Sequence, residues 1–407
     1  MIIRQEYLNH LIKWKDEHVI KVITGIRRCG KSTLLLQYQD YLKTHGVDED
    51  QIIAINLEDL SYEELYEYKV LYNYILSKLH PSKTNYILID EIQKVPGFEK
   101  AIDSLYIKPN VDIYLTGSNA YMLSGDLATL LTGRYVEISM LPFSFKEYCS
   151  LNQKSSEDAF AEYLKYGGMP FVATMDKSDD KVDTYLEGIY NTVIVRDIED
   201  RQIRLEATKA PRKITDIHLL KIIAKYLASV IGSPISVRGI ANYLVSSGQK
   251  VSPNTVNNYL EALQEAFIFY SADRFDIVGK QVLQTNPKYY MVDLGIRNHI
   301  LPRKNYDLGF SIENIVFFEL LRRGYHVYVG KLHNTEVDFV AQKQGVITYI
   351  QVSASMLVLD PETFAREIKP LASIKDNYEK IILTMDKLTI GNYNGIKVIN
   401  LMDWLLG

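Results

Sequence analysis

Gly25-Ile26-Arg27-Arg28-Cys29-Gly30-Lys31-Ser32, followed by Thr33 and the apolar run Leu34-Leu35-Leu36, matches the G-x-x-x-x-G-K-[ST] phosphate-binding pattern at every fixed position. Upstream, Val19-Ile20-Lys21-Val22-Ile23 reads as a short buried strand; downstream, Lys31 to Lys43 interleaves apolar and polar positions as a helix does. The motif therefore sits between strand and helix, where its chemistry needs it. Gly25 and Gly30 let the backbone curl until successive N–H groups face phosphate oxygens, and the following helix adds the positive end of its dipole. Lys31 is expected to reach the β- and γ-phosphates and Ser32 to hold Mg²⁺, with Ile26, Arg27, Arg28, Cys29 and Thr33 completing the nucleotide cradle.

Such a site needs an acidic residue at the end of a second buried strand. Tyr86-Ile87-Leu88-Ile89 runs into Asp90-Glu91-Ile92-Gln93, which sets Asp90 to bind Mg²⁺ through water and Glu91 to polarise the attacking water. A third strand, Asp112 to Thr116, ends in Gly117-Ser118-Asn119. Short polar side chains at the carboxyl end of a strand in an open parallel sheet face the ligand crevice, so Ser118 or Asn119 is the candidate to hold the γ-phosphate or the attacking water; an ordinary capped turn is the other reading. Leu131-Thr132-Gly133-Arg134-Tyr135 precedes a further strand, Val136 to Met140. Arg134 is a candidate to meet the transition-state charge, in its own subunit or in a neighbour, and a surface salt-bridge arginine is the equal alternative.

With these residues in order, the chain resembles the AAA-type ATPases of bacteria and archaea whose carboxyl half carries the domain of unknown function numbered 4143. The phrases that carry the likeness are the phosphate loop, LIDEIQ, LTGSN, LTGRY and Leu141-Pro142-Phe143-Ser144-Phe145-Lys146-Glu147-Tyr148, then Tyr166-Gly167-Gly168-Met169-Pro170 and Val195-Arg196-Asp197-Ile198. The resemblance spans nearly the whole chain. It implies an additional-strand ATPase core with Lys31, Ser32, Asp90, Glu91 and a sensor at Ser118 or Asn119 as working residues, and ATP as the nucleotide. It leaves the biological task open.

At 407 residues, 47% hydrophobic and 24% charged, the chain is long enough for about two or three cores. Forty-six basic against fifty acidic side chains leave a formal charge of −4, so no global basic character argues for nucleic acid or membrane, although a local basic face stays open. The two cysteines, Cys29 and Cys149, make no disulfide framework, and bridging Cys29 would disturb the phosphate loop. Met1 to Glu17 is mixed in charge with no secretory apolar core, and no apolar run approaches about 18 residues. A reducing, cytoplasmic location without a membrane is the expectation. The thirty tyrosines scatter along the chain among abundant Ile, Lys and Asn, which points to coding bias rather than base stacking.

Change of pattern divides the chain into residues 1–141, an α/β nucleotide domain with a parallel sheet; 142–215, a helical lid interrupted at Gly167-Gly168-Met169-Pro170; 216–292; and 293–407. In the lid, Arg196, Arg201, Arg204, Arg212 and Lys213 alternate with Asp197, Glu199, Asp200 and Glu206, as on solvated, salt-bridged helices. In the third segment, helices at Leu219 to Ile231, Ser236 to Leu244 and from Ser252 onward, with strands at Phe267 to Tyr270 and Lys288 to Val292, look like a winged helix. Ser252 is set to cap the third helix with Pro253 in its first turn. Asn254, Thr255, Asn257 and Asn258 are then left to meet base edges while Val256, Tyr259 and Leu260 face inward. DNA binding and a protein contact are equally open for such a module.

The last segment resembles the PD-(D/E)xK nuclease fold, a restriction-endonuclease-like α/β domain. Glu313 and Glu319 lie on a helix from Ser311 to Arg322, and Glu336 to Val340 and Tyr349 to Ser353 read as paired strands. In that family an aspartate and a glutamate or glutamine on adjacent strands bind Mg²⁺, and a lysine two residues later activates water. Asp338 and Gln351 match, but Ser353 stands at the lysine position and removes the expected charge, which argues against cutting.

The expectation is therefore a Mg²⁺-dependent ATP-hydrolysing AAA-type enzyme whose nucleotide state acts on a carboxyl-terminal module. The rival is a DNA-binding regulator or defence switch controlled by ATP occupancy with negligible turnover; an ATP-dependent nuclease comes third. Partners left open are DNA, a protein and further copies of the chain.

Overall fold

The strand before the phosphate loop is buried on both sides because it lies inside a parallel sheet, and strands so placed read as near-continuous hydrophobic runs. The structure, a computed structural model, describes residues 2–118, 131, 133–151, 154–193, 198, 214, 216–301, 308–356 and 361–407. They divide into two units, Met1–Pro142 with Glu265–Phe267, and Phe143–Gln264 with Ile268–Gly407. Among the described residues no helix is long and apolar enough to cross a membrane.

The first unit begins with helix α1 (Gln5–Lys13) and continues through β1 (Ile20–Thr24), α2 (Lys31–Thr44), β2 (Ile52–Asn56), α3 (Tyr68–Lys78), β3 (Asn85–Asp90), α4 (Phe98–Tyr106), β4 (Val111–Gly117) and β5 (Tyr135–Ser139). The five strands form one sheet in the order β2-β3-β4-β1-β5, with every pairing parallel. β1, β3 and β4 are buried along their whole length. Alternation across the pleat sends Ile20 and Val22 into one core, with Ile87, Ile89, Ile113, Leu115 and the apolar sides of α3 and α4. The opposite pleat carries polar groups. Lys21 Nζ lies 2.5 Å from Asp112 Oδ1, with both side chains almost fully buried. Tyr114 Oη donates to Asp112 Oδ2 at 2.8 Å and shares a 2.5 Å hydrogen bond with Tyr38 Oη of α2. Burial lowers the Lys21 ammonium and raises the Asp112 carboxyl, each opposed by the other's charge. This pair survives because both Asp112 oxygens accept hydrogen bonds and the Lys21 ammonium also donates to Glu17 O at 2.7 Å.

The second unit opens with α5 (Phe145–Leu151), α6 (Ser156–Tyr166), α7 (Pro170–Thr174), α8 (Asp179–Asn191), α9 (Ile217–Ser229), α10 (Val237–Ser246) and α11 (Pro253–Glu265). It continues through β6 (Phe269–Asp276), β7 (Gln281–Met291), α12 (Leu294–Ile300), α13 (Leu308–Arg322), β8 (His326–Leu332), β9 (Thr335–Lys343), β10 (Val346–Ser353), α14 (Pro361–Ala372), β11 (Glu379–Thr384), β12 (Gly391–Tyr393), β13 (Ile396–Asn400) and α15 (Leu401–Leu406). Its sheet has eight strands in the order β12-β13-β11-β10-β9-β8-β6-β7. β6 and β7 form the antiparallel hairpin expected as a wing, but the free side of β6 pairs in parallel with β8. Hairpin and carboxyl-terminal strands are thus one sheet, and the segment boundary drawn at residue 292 crosses it. Arg196, Asp197, Glu199 and Asp200, with Arg201, Arg204, Glu206, Arg212 and Lys213, lie outside the described residues.

The Gly167-Gly168-Met169-Pro170 interruption has a physical cause. Asp293 caps α12, accepting from Ile296 N at 3.0 Å, and its other oxygen accepts from Gly168 N at 2.7 Å. Burial raises the Asp293 carboxyl to about 6, against the pull of the backbone N–H groups of Ile296, Gly168, Gly295 and Met169. A β-carbon on Gly168 would stand 2.4 Å from the Phe143 carbonyl oxygen, and one on Gly167 2.3 Å from Asp293 Oδ1. Gly168→Ala is therefore expected to destabilise the protein by about 1–3 kcal/mol beyond the cost of Gly188→Ala. Like Gly168, Gly188 of α8 lies outside the positive-φ region, but nothing stands within 4 Å of its would-be β-carbon. Urea unfolding followed by tryptophan fluorescence checks the difference, and equal midpoints would remove the packing argument.

Candidate functional site

The carboxyl ends of β1, β3 and β4 lie side by side, with Thr24 opposite Gly117 and Ile89 opposite Leu115, and the residues just beyond them make the site. β1 leads into the phosphate loop. Gly25 has φ +145° and Gly30, which caps α2, has φ +107°, both backbone conformations that a side chain resists. Gly25 is constrained by space as well, since a β-carbon there would stand 2.1 Å from the Met140 carbonyl oxygen. Lys31 is buried, and its Nζ donates to the carbonyls of Gly25 at 2.9 Å and Ile26 at 3.2 Å. The ammonium thus folds back over its own loop, where an incoming phosphate oxygen can take it over. Ile26 and Cys29 are buried beneath the loop, and burial raises the Cys29 thiol. Arg27 and Arg28 face outward: Arg27 pairs with Glu58 at 3.2 Å, and Arg28 has φ +64°. Thr33 is half-buried in the first turn of α2.

β3 delivers the two carboxylates. Asp90 and Glu91 are both buried. Burial raises the Asp90 carboxyl, with the Glu91 charge adding to the rise, while hydrogen bonds from Thr116 and Ser32 and the Lys31 charge oppose it. Ser32 and Asp90 are thus already in contact, and a hydroxyl beside a carboxylate is an oxygen set that suits Mg²⁺. These two side chains fit the ion that a bound triphosphate would bring.

Thr116, which the sequence reading passed over, organises both carboxylates. Its Oγ1 donates to Asp90 Oδ1 and accepts from Glu91 N at 2.9 Å. The second bond holds Glu91 at φ +54°, a left-handed backbone that costs a residue with a side chain about 1–2 kcal/mol. The Glu91 carboxylate is itself held: Oε2 accepts from Gln93 Nε2 and, at 3.1 Å, from Ser118 Oγ. Gln93 Nε2 also lies 3.3 Å from Ser118 Oγ. Ser118 thus sits against Glu91, while Asn119 lies outside the described residues.

Arg134 does not join this group. It precedes β5, whose Tyr135 pairs with Ile20 at the start of β1, so a five-residue strand, roughly 16 Å, separates it from the phosphate loop. Its guanidinium pairs with Asp103 and lies 5.4 Å from the Tyr106 ring centre, both on α4. The own-subunit role is therefore corrected: the parallel sheet puts residues that enter β5 at the end opposite the site.

A second residue that sequence reading missed braces the loop from behind. Arg4 is buried; its Nη1 donates to Cys29 O at 3.0 Å and its Nη2 to Leu141 O at 2.9 Å. Its own N–H donates to Gln37 Oε1 of α2 at 3.1 Å. No sequence spacing announces this contact, because its partners are backbone carbonyls far along the chain.

The nuclease-like residues of the second unit form a separate buried cluster. Lys288 of β7 pairs there with Glu313 on α13 at 3.0 Å and with Glu336 on β9 at 2.7 Å, and the charge of Asp338 on β9 acts on it as well. Among the described residues no three His, Cys, Asp or Glu side chains converge to hold a metal ion.

Residues 17–149 match the family described as AAA domain, and residues 157–307 match the family described as domain of unknown function DUF8612. An uncharacterised protein of Haemophilus influenzae is 42% identical over 412 aligned residues, covering 100% of this chain and 99% of its own. An uncharacterised protein of Methanocaldococcus jannaschii is 27% identical, covering 95% of this chain and 88% of its own. Among solved structures, the Aeropyrum pernix ORC1 protein in complex with DNA is similar at 12% identity and a TM-score of 0.33, over 74% of this chain and 92% of its own. AMPPCP-bound DnaA from Aquifex aeolicus is similar at 14% identity and a TM-score of 0.31, over 65% and 90%. Scores this low bear no weight on function.

Thr116→Val keeps shape and removes both hydrogen bonds. It is expected to weaken Mg²⁺-dependent nucleotide binding about 10–100-fold, read by titrating a fluorescent ATP analogue with Mg²⁺ and again with EDTA. An unchanged Mg²⁺ dependence would detach Thr116 from the metal-binding carboxylate.

Proposed function

We propose that this chain, which belongs to the family of the Haemophilus influenzae protein and carries an AAA domain, is a Mg²⁺-dependent ATPase whose nucleotide state acts on its carboxyl-terminal module. The observation that carries this reading is the convergence of Lys31, Ser32, Asp90, Glu91 and Ser118 at the carboxyl ends of three adjacent parallel strands. In it, the loop N–H groups from Gly25 to Ser32 and the Lys31 ammonium hold the phosphates, and Ser32 and Asp90 hold Mg²⁺. Glu91 takes the proton of the attacking water, and Ser118, with Asn119 beside it in sequence, reports the γ-phosphate. Arg134 serves a neighbouring subunit, if any, since it is remote from its own loop. The magnesium ion, when bound, neutralises charge building on the phosphate oxygens.

Residues 1–141 are read as the ATPase core, 142–215 as a helical lid, 216–292 as a winged helix and 293–407 as a nuclease-like module that does not cut. The caps on α10 and α11 support the helical part: Ser236 Oγ accepts from Gly239 N at 3.0 Å and Ser252 Oγ from Thr255 N at 3.1 Å. On α11, Val256, Tyr259 and Leu260 are buried while Asn254 and Asn257 are exposed, Asn257 Nδ2 donating to Glu261 Oε1 at 2.8 Å, which puts polar groups on the face a DNA groove would meet. The cytoplasm is the proposed location.

One observation favours the rival reading, a nucleotide-gated DNA-binding switch. Glu91 Oε2 accepts from Gln93 and Ser118, and hydrogen bonds to the charged form weaken a carboxylate as a base. A signal that breaks those bonds would then raise turnover. Ser353 in place of a lysine keeps an ATP-dependent nuclease last.

The test is steady-state ATP hydrolysis by the full chain, alone and with single- and double-stranded DNA. Lys31→Ala is expected to lose ATP binding. Glu91→Gln is expected to keep ATP and lose about 10²–10⁴-fold in turnover; normal hydrolysis by that variant would remove Glu91 from the mechanism. DNA stimulation supports the coupled ATPase, and turnover far below about 1 s⁻¹ that ignores DNA supports the switch.

A further inference from the structure

The nuclease-like cluster contains a cation of its own. Lys288 Nζ lies 3.0 Å from Glu313 Oε1 and 2.7 Å from Glu336 Oε1, and its side chain is 3% exposed. These are hydrogen-bond lengths from a compact ammonium with three protons to give. The oxygens that a metal would need are turned toward other donors. Glu313 Oε1 accepts from Tyr290 Oη at 2.7 Å as well as from Lys288. Asp338 Oδ2 accepts from Val352 N at 2.8 Å, Gln351 Oε1 faces Asp338 N at 3.4 Å, and Ser353 Oγ donates to Ser355 O at 3.0 Å. A divalent ion takes carboxylate lone pairs at about 2.0–2.6 Å, and here Glu313 Oε1, Glu336 Oε1 and Asp338 Oδ2 are each already engaged by an N–H or O–H donor. The expected nuclease metal does not fit this donor set.

We propose that Lys288 is a resident cation that takes the place of a divalent metal between Glu313 and Glu336, beside Asp338, so that the carboxyl-terminal sheet holds no metal at this point. Glu313 is buried and Glu336 and Asp338 are partly buried, so the acidic groups gathered from α13 and β9 need a counter-charge. The lysine comes from β7, in the hairpin, rather than from the strand that carries Ser353. Its ammonium fastens β7 to α13 and β9 at one point. The inference is independent of the ATPase reading; it takes from the nuclease-like reading only where a metal would sit.

The experiment titrates Mn²⁺ into the nucleotide-free full chain and follows the free-ion EPR signal. The wild-type protein is expected to leave that signal unchanged. Lys288→Ala is expected to take up one Mn²⁺ per chain, and adding Asp338→Asn is expected to abolish the uptake. Urea unfolding of Lys288→Ala should shift to higher urea with Mn²⁺, while the wild-type midpoint stays fixed. Wild-type uptake that Asp338→Asn removes would overturn the proposal and make Lys288 a companion of the metal. A folded Lys288→Ala protein that takes up no Mn²⁺ would overturn it too. Should Lys288→Ala fail to fold, the wild-type titration decides alone, and uptake that survives Asp338→Asn lies elsewhere and counts as none here.

Discussion

Everything at the phosphate loop depends on how closely Met140 approaches it. The carbonyl of Met140 occupies the space a side chain at Gly25 would need, and the Met140 N–H donates to Thr24 O at 2.7 Å. The strand that leaves the sheet is therefore packed against the loop that would hold phosphate, with no layer between them. Arg4 closes the arrangement by taking one carbonyl from the loop and one from Leu141, and Tyr7 Oη accepts from Leu141 N at 3.1 Å. A shift in the loop backbone must be matched by residues 140–142 or break these bonds.

On the other side, α2 is tied to the sheet through Tyr38, Tyr114, Asp112 and Lys21. Burying an ion pair is a poor source of stability by itself, but removing one partner leaves an uncompensated charge and costs about 3–5 kcal/mol. The network therefore gives α2 one seating on the sheet. A helix so fixed keeps its amino end, and the loop before it, aimed at the crevice between β1 and β4. The Glu91 carboxylate is instead held by two neutral donors, which other groups can replace.

The core was legible because its chemistry is local. A glycine-rich loop between strand and helix, a strand ending in two carboxylates and a strand ending in Gly117-Ser118 each carry their reason within a few residues, and parallel topology brings the three ends together. What escaped reading acts across the chain. Thr116 looks like one more β-branched strand residue until Asp90 stands beside it, and Arg4 looks like part of a mixed-charge stretch until its carbonyl partners are known. Lys288 sits in a run of tyrosines on β7, whereas a nuclease-like pattern directs attention to Ser353 on β10. Arg134 stayed open for a related reason: sequence shows that it precedes a strand, but only the strand order shows which end of the sheet that is. The hairpin was legible as two strands, yet its pairing with β8 depends on an edge that no local pattern marks.

The location of Arg134 gives the first unit a direction. Its phosphate loop opens at one end of the sheet and its half-exposed guanidinium sits at the other, so one copy can serve another only head to tail. Such contacts are heterologous: they close into a ring if the rotation allows and grow as an open filament if it does not. In an open row one end copy would always lack a donor. Per-copy activity would then rise with the length of the row, and the row itself would count its members.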